Sequence, residues 1–193
     1  MRRIFIGTLV VLTIALINGC ANRKITRVDP NETIDLSGRW NDSDSRLVSE
    51  EMIGDLLTSA WIPRYLKAND KRPVVVVGLV ENKSHEHINS ETFIKDVEKA
   101  IIRDGNIRLV VAGEKRNELR KERAEQQDYA SPETTKKWGK ELGADFILQG
   151  TINSIVDSYK KQKVVTYQID LQLTNIETNE VVWMGDKKIK KQI

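Results

Sequence analysis

The sequence predicts an α/β (α+β) domain in which a mixed sheet of about five strands is flanked by about four helices. Two patterns indicate this fold. Helical apolar stripes alternate with short β-branched runs up to residue 143, and period-two alternation follows, which predicts a three-stranded antiparallel meander at the end of the sheet. The chain has 193 residues, of which 39% are hydrophobic and 31% charged. This composition is typical of a globular domain and excludes a disordered chain or a multi-span membrane protein.

The first predicted helix follows candidate capping residues at 41–45 and ends or kinks at Pro63. Its apolar residues recur every four positions on two adjacent stripes. They are Val48, Met52, Leu56 and Ala60, with Ile53, Leu57 and Trp61 beside them. The next segment, 72–80, is almost continuously β-branched, which predicts a central strand that is buried on both faces.

Three more helices and a short strand are predicted before the meander. A helix over 90–104 ends at Gly105, a strand covers 107–112, and a highly charged helix covers 113–127. A fourth helix is predicted to open at Ser131 and to end at Gly143. The residues predicted to face inward are Phe93, Ile94, Val97 and Ile101 in the first of these helices and Trp138 and Leu142 in the last.

The meander strands are predicted at 146–153, 165–174 and 181–189. The middle strand alternates apolar and polar residues, which indicates one buried and one polar face. The tight connection at 177–180 contains Asn179, and asparagine tolerates the left-handed conformation. The last strand carries lysines, which protect an exposed sheet edge or, alternatively, contact anionic groups. They are Lys187, Lys188, Lys190 and Lys191.

The first nineteen residues have the pattern of a secretory signal peptide. Arg2 and Arg3 precede a short apolar run, which is too short for a transmembrane helix. Residues 17–20 resemble the lipobox of bacterial lipoproteins, and Cys20 is the only cysteine in the chain. This resemblance implies a diacylglycerol on Cys20, whereas the alternative is an ordinary signal peptide beside a free cysteine. We therefore divide the chain into a signal peptide (1–19), a lipidated cysteine with a short tether (20–35) and a globular domain (36–193).

The predicted anchor has consequences for location, reach and charge. Ala21 would follow the lipidated cysteine, and in the enterobacterial sorting rule a residue other than aspartate there favours the outer membrane. A fully extended tether of fifteen residues spans roughly 50 Å. Cleavage removes Arg2 and Arg3, so the formal net charge falls from +3 to +1. The nearly neutral domain gives no argument for nucleic-acid binding.

No sequence motif points to catalysis or to a cofactor. The two histidines, His85 and His87, lie two residues apart in a polar loop and do not complete a metal site. Asp42 and Asp44 lack the glycine that a calcium loop of the EF-hand type needs, because the sixth position from Asp42 is Leu47. We therefore predict a binding module that is not an enzyme and that holds neither a metal nor another cofactor.

Two segments are candidates for contact with a partner. One comprises Arg39, Trp40, Asn41 and Asp42, since tryptophan and arginine are enriched at binding hot spots. The alternative for Trp40 is that it fastens the incoming chain to the core. The other segment is the charged helix with Arg116, Arg120 and Arg123, which is either a docking surface or an ordinary solvated helix face.

Segments along almost the whole of residues 36–190 resemble, in order, the LpoB family of penicillin-binding-protein activator lipoproteins. They are LSGRWNDSDSRLV (36–48), PVVVVG (73–78), FIKD (93–96), ELRKER (118–123), LGADFILQG (142–150), DLQL (170–173) and ETNEVVW (177–183). The resemblance implies a domain related to the TolB N-terminal fold. It also implies a periplasmic domain, anchored by lipid to the outer membrane, that binds a class A penicillin-binding protein and stimulates its glycosyltransferase and transpeptidase activities.

One feature departs from the family, and other functions remain open. The enterobacterial member has a long disordered stretch between lipid and domain, whereas the tether is short here, so the identity of the partner synthase is open. An alternative is a lipoprotein component of a secretion complex related to CsgG, to which the turn at 143–145 and the last strands are also similar. A third is a periplasmic enzyme or metal-binding lipoprotein.

Overall fold

The computed structural model describes residues 25–135 and 141–193. The predicted signal peptide and Cys20 lie outside these residues. Residues 25–32 belong to one unit and Thr33–Ile193 to another. In the first unit, Asp29 forms a turn, because its side chain accepts a hydrogen bond from the Asn31 amide at 2.8 Å.

The second unit contains four helices and one five-stranded sheet in its described residues. The helices are α1 (Asp42–Thr58), α2 (Trp61–Asn69), α3 (Ser90–Asp104) and α4 (Gly113–Tyr129). The strands are β1 (Val74–Asn82), β2 (Arg108–Val110), β3 (Phe146–Tyr159), β4 (Gln162–Asn175) and β5 (Val181–Gln192). Their order is β2-β1-β3-β4-β5, with β1 parallel to both neighbours and β3–β5 antiparallel. The mixed sheet and its closing meander are therefore confirmed.

The hydrophobic core lies between the sheet and helices α1 and α3. The inner side of α3 is formed by Phe93, Val97 and Ile101, which are all buried, as predicted. Val48, Ile53 and Leu56 of α1 are buried in the same core. Each such side chain contributes about 1.5–3 kcal/mol on burial, so the two helices are held mainly by these apolar stripes.

The first helix ends earlier than the sequence predicted. α1 stops at Thr58, Ser59 is extended, and a separate helix begins at Trp61 with Pro63 in its first turn. The proline ring is incompatible with a helical carbonyl four residues earlier, which is that of Ser59. The Trp61 indole N–H donates to the carbonyl of Leu56 at 2.9 Å and so satisfies one of the acceptors that the break exposes.

The fourth predicted helix is not a helix in its described part. Ser131–Thr135 form a single turn, in which the amides of Thr134 and Thr135 both donate to the Ser131 carbonyl. Residues 136–140, including Trp138, lie outside the described residues, and 141–144 are irregular. The described elements therefore run α-α-β-α-β-α-β-β-β rather than α-β-α-β-α-α-β-β-β.

The predicted helix end at Gly105 and the predicted tight connection at Asn179 are confirmed by their backbone angles. Gly105 ends α3 with φ +77°, and its amide donates to the Ile101 carbonyl. Asn179 has φ +62° in the β4–β5 connection. Both positions need the left-handed conformation, which glycine and asparagine adopt most readily.

The basic last strand is the edge of the sheet, and its lysines divide between the two faces. In the β4–β5 register, Lys187 lies opposite Ile169 and Lys191 opposite Val165, so both are on the side of the helices. Lys188 and Lys190 lie opposite polar residues on the other side. We call the side that bears Ile169 the inner face and the opposite side the outer face.

The beginning and the end of the described domain meet at one corner. Gly38 has φ +65°, and a β-carbon at this position would lie 2.5 Å from the Ile193 side chain. Glycine is therefore required here both by the backbone conformation and by the packing of Ile193.

We expect Gly150→Ala to destabilise the domain by about 1–3 kcal/mol, because the added β-carbon would lie 2.1 Å from the Asp170 carbonyl oxygen in the neighbouring strand. Gly54→Ala is the matched control, since this exposed α1 position has no atom within 4 Å of the added carbon. It should stabilise the domain by about 0.5–1 kcal/mol. Urea unfolding of the purified proteins measures both changes, and equal effects of the same sign would contradict the close packing of β3 on β4.

Candidate partner-binding surfaces

A buried ion pair holds the start of α1 against the edge strand. The Lys191 ammonium lies 2.6 Å from an oxygen of Asp44 and 2.6 Å from an oxygen of Asp35. It also donates to the Arg39 carbonyl at 3.1 Å. The side chains of Lys191 and Asp44 are only 9% and 8% exposed. The end of β5 is thereby tied to the segment that leads into the first helix.

The same carboxylate also caps α1. Asp44 accepts a hydrogen bond from the Asn41 amide at 3.0 Å, and the Asn41 side chain accepts from the Asp44 amide at 3.1 Å. This reciprocal pair is a capping box. Burial opposes the charge on Lys191, but its hydrogen bonds with Asp35 and Asp44 outweigh burial and raise its pKa. The pKa of Asp35 is lowered by its hydrogen bonds with Lys191 and Asn41.

A second carboxylate, that of Glu86, fixes Trp40. Its two oxygens accept the Trp40 amide at 3.1 Å and the Tyr167 hydroxyl at 2.8 Å. The Trp40 and Tyr167 rings pack edge to face with centroids 5.5 Å apart. Burial and the neighbouring Glu86 raise the pKa of Tyr167. Trp40 thus fastens the incoming chain to the core, which was one of its two sequence interpretations.

The structure places the four residues of the first predicted contact segment in different environments. Trp40 and Asn41 are half-buried and are used within the domain, whereas Arg39 and Asp42 are exposed at the start of α1. Contact of any of the four with a partner stays a prediction.

The arginines of α4 are brought together, but by a residue of this chain. Arg120 binds both carboxylate oxygens of Glu141 at 2.9 Å, and Arg123 binds one of them at 2.5 Å. Arg116 instead donates to the Val111 carbonyl at 2.8 Å. α4 contains no buried residue, so its link to the rest of the domain is largely polar. Whether these arginines also touch a partner stays a prediction.

Two of the residues considered for metal binding have other roles. His85 binds the Ser154 hydroxyl through Nδ1 at 2.6 Å, and Asp44 belongs to the ion pair and the capping box. In residues 25–135 and 141–193, no group of three or more histidine, cysteine, aspartate or glutamate side chains could hold a metal ion.

Sequence reasoning missed two carboxylates that organise the domain. Asp145 accepts the Tyr65 hydroxyl at 2.7 Å and the Val74 amide at 2.8 Å, and so joins α2, β1 and the start of β3. Burial and Asp145 raise the pKa of Tyr65 to about 12. The other is Glu86, which lies between the two histidines that were considered as metal ligands. For Asp145, the sequence signal that could have revealed this role is its position directly before a strand.

The outer face of the sheet carries a groove that was also missed. Its volume is about 330 Å³. The lining residues are Leu79, Glu81, Gln149, Gly150, Thr151, Asp170, Leu171, Gln172 and Met184. Leu79 and Met184 are 65% and 66% exposed, so apolar side chains border a polar floor. The polar face of β4 was predicted, but not the alignment of its side chains with those of β1 and β5.

None of the helices in the described ranges combines the length and apolar character that crossing a bilayer requires.

The described α+β domain thus combines the ion pair of Lys191, the arginines of α4 and an open groove on the sheet. Residues 44–189 match the model of the family described as peptidoglycan-synthase activator LpoB. The match covers well over half of the chain, and the chain therefore belongs to the LpoB family. Members of this family regulate peptidoglycan synthesis as activators.

Solved structures similar to this chain include two of the same family. The C-terminal domain of LpoB from Escherichia coli is 18% identical, and that of Salmonella enterica is 16% identical. Each alignment covers 76% of this chain and 98% of the other, with a TM-score of 0.45. Lipoprotein GNA1162 from Neisseria meningitidis is 15% identical over 62% of this chain and 83% of the other, with a TM-score of 0.37. The comparison with curated proteins gave no match.

We expect Lys191→Met to destabilise the domain by about 3 kcal/mol, because it leaves the buried Asp44 carboxylate without its cation. Lys190→Met is the matched control: Lys190 is exposed on the outer face, and no ion pair is found for it within the described residues. Its effect should stay within about 0.5 kcal/mol. Thermal unfolding at pH 7 measures both, and equal losses would refute the structural role of the Lys191 ion pair.

The arginine clamp on Glu141 should depend on pH. Hydrogen bonds from Arg120 and then Arg123 lower the pKa of Glu141 from its usual 4.5 to about 2. The clamp therefore stabilises the attachment of α4 above about pH 4.5 and is lost as the pH falls towards about 2. An NMR titration of the Glu141 carboxyl carbon should give a midpoint near 2. Arg120→Gln should raise this midpoint towards 4.5, and an unchanged midpoint in that variant would show that the clamp does not form.

Proposed function

We propose that this chain is a lipid-anchored regulator on the periplasmic side of the outer membrane, and that it binds and activates a class A penicillin-binding protein. The observation that supports this proposal most directly is the family match over residues 44–189. The matched region extends from α1 to β5. It therefore spans most of α1 and β5 and all the elements between them, and is not an isolated motif.

The proposed anchor is Cys20. It is the only cysteine in the chain, and it directly follows a basic and then apolar leader. Each buried methylene of an acyl chain contributes about 0.8 kcal/mol, so several chains together give durable attachment where one would be marginal. The folded domain itself contains no cysteine, because Cys20 precedes it. Ala21 supports sorting to the outer membrane.

The tether limits where the domain can act. Asp35 is bound to Lys191 and Asn41, so the segment free of these contacts ends before that residue. Fifteen residues reach roughly 50 Å when fully extended, and a flexible chain of that length spans about 20 Å on average. In our proposal the domain therefore stays near its membrane, and the periplasmic part of the synthase extends towards it.

Activation without bond chemistry needs only a difference in affinity. If the domain binds an active synthase conformation more tightly than an inactive one, the population shifts towards the active state. A tenfold difference in affinity corresponds to about 1.4 kcal/mol, which a few contacts can provide. The alternative function, a component of a secretion complex related to CsgG, is not favoured by the family match.

The proposal is tested with the Cys20→Ser protein and the class A synthases of the host. We expect direct binding of the soluble domain to at least one synthase, and an increase in the rate of glycan polymerisation and peptide crosslinking. Binding is measured by surface plasmon resonance, and the rates are measured with purified lipid-linked substrate. A synthase from which the periplasmic non-catalytic region has been deleted serves as the control.

The proposal would be refuted if the domain bound none of these synthases and changed none of their rates. Binding without a change of rate would support the proposed partner but refute the proposed activation. Lys191→Met removes the ion pair that holds the start of α1 against β5. It shows in parallel whether activation needs an intact fold.

A further inference from the structure

The outer face of the sheet has side chains of defined chemistry in rows across the strands. In the strand register, Glu81 of β1 lies beside Thr151 of β3, which lies beside Asp170 of β4 and then Asp186 of β5. Three of these four residues are carboxylates. The preceding row ends in Met184, which lies opposite Gln172. An acidic row is thus placed directly beside a row that has an apolar end.

The groove is formed where these two rows meet β1. A register shift between Val77 and Val80 makes β1 irregular at this point, and Gly150 contributes only backbone to the lining. Leu79 borders the groove on one side and Met184 on the other. At about 330 Å³ it has room for one or two long side chains.

Among the described residues, the only charged ones that line the groove are two carboxylates, Glu81 and Asp170. They are two strands apart, which places them on the order of 10 Å from each other on opposite sides of Thr151. Asp170 is oriented by hydrogen bonds from Asn153 at 3.3 Å and from Gln168 at 2.8 Å. Within the described residues, no cation is paired with Asp170, whereas Glu81 has Lys83 at 3.2 Å. A cationic group that entered between them would be attracted by both.

The next row limits the register of such a contact. Lys188 lies opposite Gln168, one row beyond Asp170, and Lys83 follows the end of β1 at the other side. Side chains two residues apart on one strand face are separated by about 7 Å. A partner cation displaced by one row in this direction would therefore meet lysine instead of carboxylate, and like charges in contact suppress this wrong register.

We propose that this outer face is where the synthase docks, and that the groove receives an arginine or lysine side chain of the partner while apolar neighbours of that residue cover Leu79 and Met184. This inference rests on the proposed function and adds the surface and the chemistry of the partner. The charges of the lining select a basic segment of a protein. Exposed methionine and leucine at the groove margins contribute apolar area to such an interface.

The experiment uses the Cys20→Ser protein and the synthase that it binds. Glu81→Gln combined with Asp170→Asn neutralises the groove with little change of shape. We expect the dissociation constant to rise by about tenfold or more, and its dependence on salt to weaken, because the attraction is electrostatic. Leu79→Ser should weaken binding independently of salt. The matched control is Glu177→Gln with Glu180→Gln, which removes the same charge from the exposed β4–β5 connection and should leave binding unchanged.

Each other result has a defined meaning. Full binding by both groove variants would overturn the docking site while the proposed function stands, whereas no binding by the unmodified groove would overturn the proposed function and this site with it. A loss of binding only on replacing Arg116, Arg120 and Arg123 by alanine would assign docking to α4 and overturn the groove. A dimer that Leu79→Ser dissociates, with synthase binding unchanged, would show that the face pairs with a second copy. Unchanged thermal unfolding of the variants excludes misfolding as the cause.

Discussion

The Lys191 ion pair connects parts of the domain that are far apart in sequence. One ammonium group joins Asp35 before the first helix, Asp44 within its first turn, and the end of the edge strand. Removing charges from water is unfavourable, and hydrogen bonds from the Asn41 amide to Asp44 and from the Asn41 side chain to Asp35 help to offset this cost. Glu86 holds Trp40 beside this cluster. Charge and hydrogen bonding therefore act together with the packing of Trp40 on Tyr167 to determine the direction in which the chain approaches α1.

A second carboxylate organises another junction of the fold. Asp145 binds α2 through Tyr65 and β1 through the Val74 amide, and its carbonyl accepts the Ile176 amide at 3.0 Å. The apolar core is formed by other residues, which extend along the chain from Val48 to Trp183. Polar side chains thus determine how the elements meet, and apolar burial provides most of the free energy that keeps them together.

Much of the fold could be predicted because helices and strands bury side chains with different periods. The inward residues of α3, the buried β1 and the alternation in β4 all follow from that rule. The break at Ser59 was missed because the effect of Pro63 is exerted on a carbonyl four residues earlier, inside an otherwise regular apolar stripe. The sides of the β5 lysines and the rows of the groove depend on the register between strands, which no local pattern contains. Glu86 was missed because its partners, Trp40 and Tyr167, are distant in sequence.

The contact between Gly38 and Ile193 makes the connectivity of the domain almost circular. Since Gly38 and Ile193 meet at one corner, a short peptide could join them without crossing the sheet. The chain could then be opened at the exposed β3–β4 tip around Lys160 and Lys161, with the strand order unchanged. The fold would be a circular permutant with the same contacts. Its architecture is therefore specified by which residues touch and not by where the chain is opened.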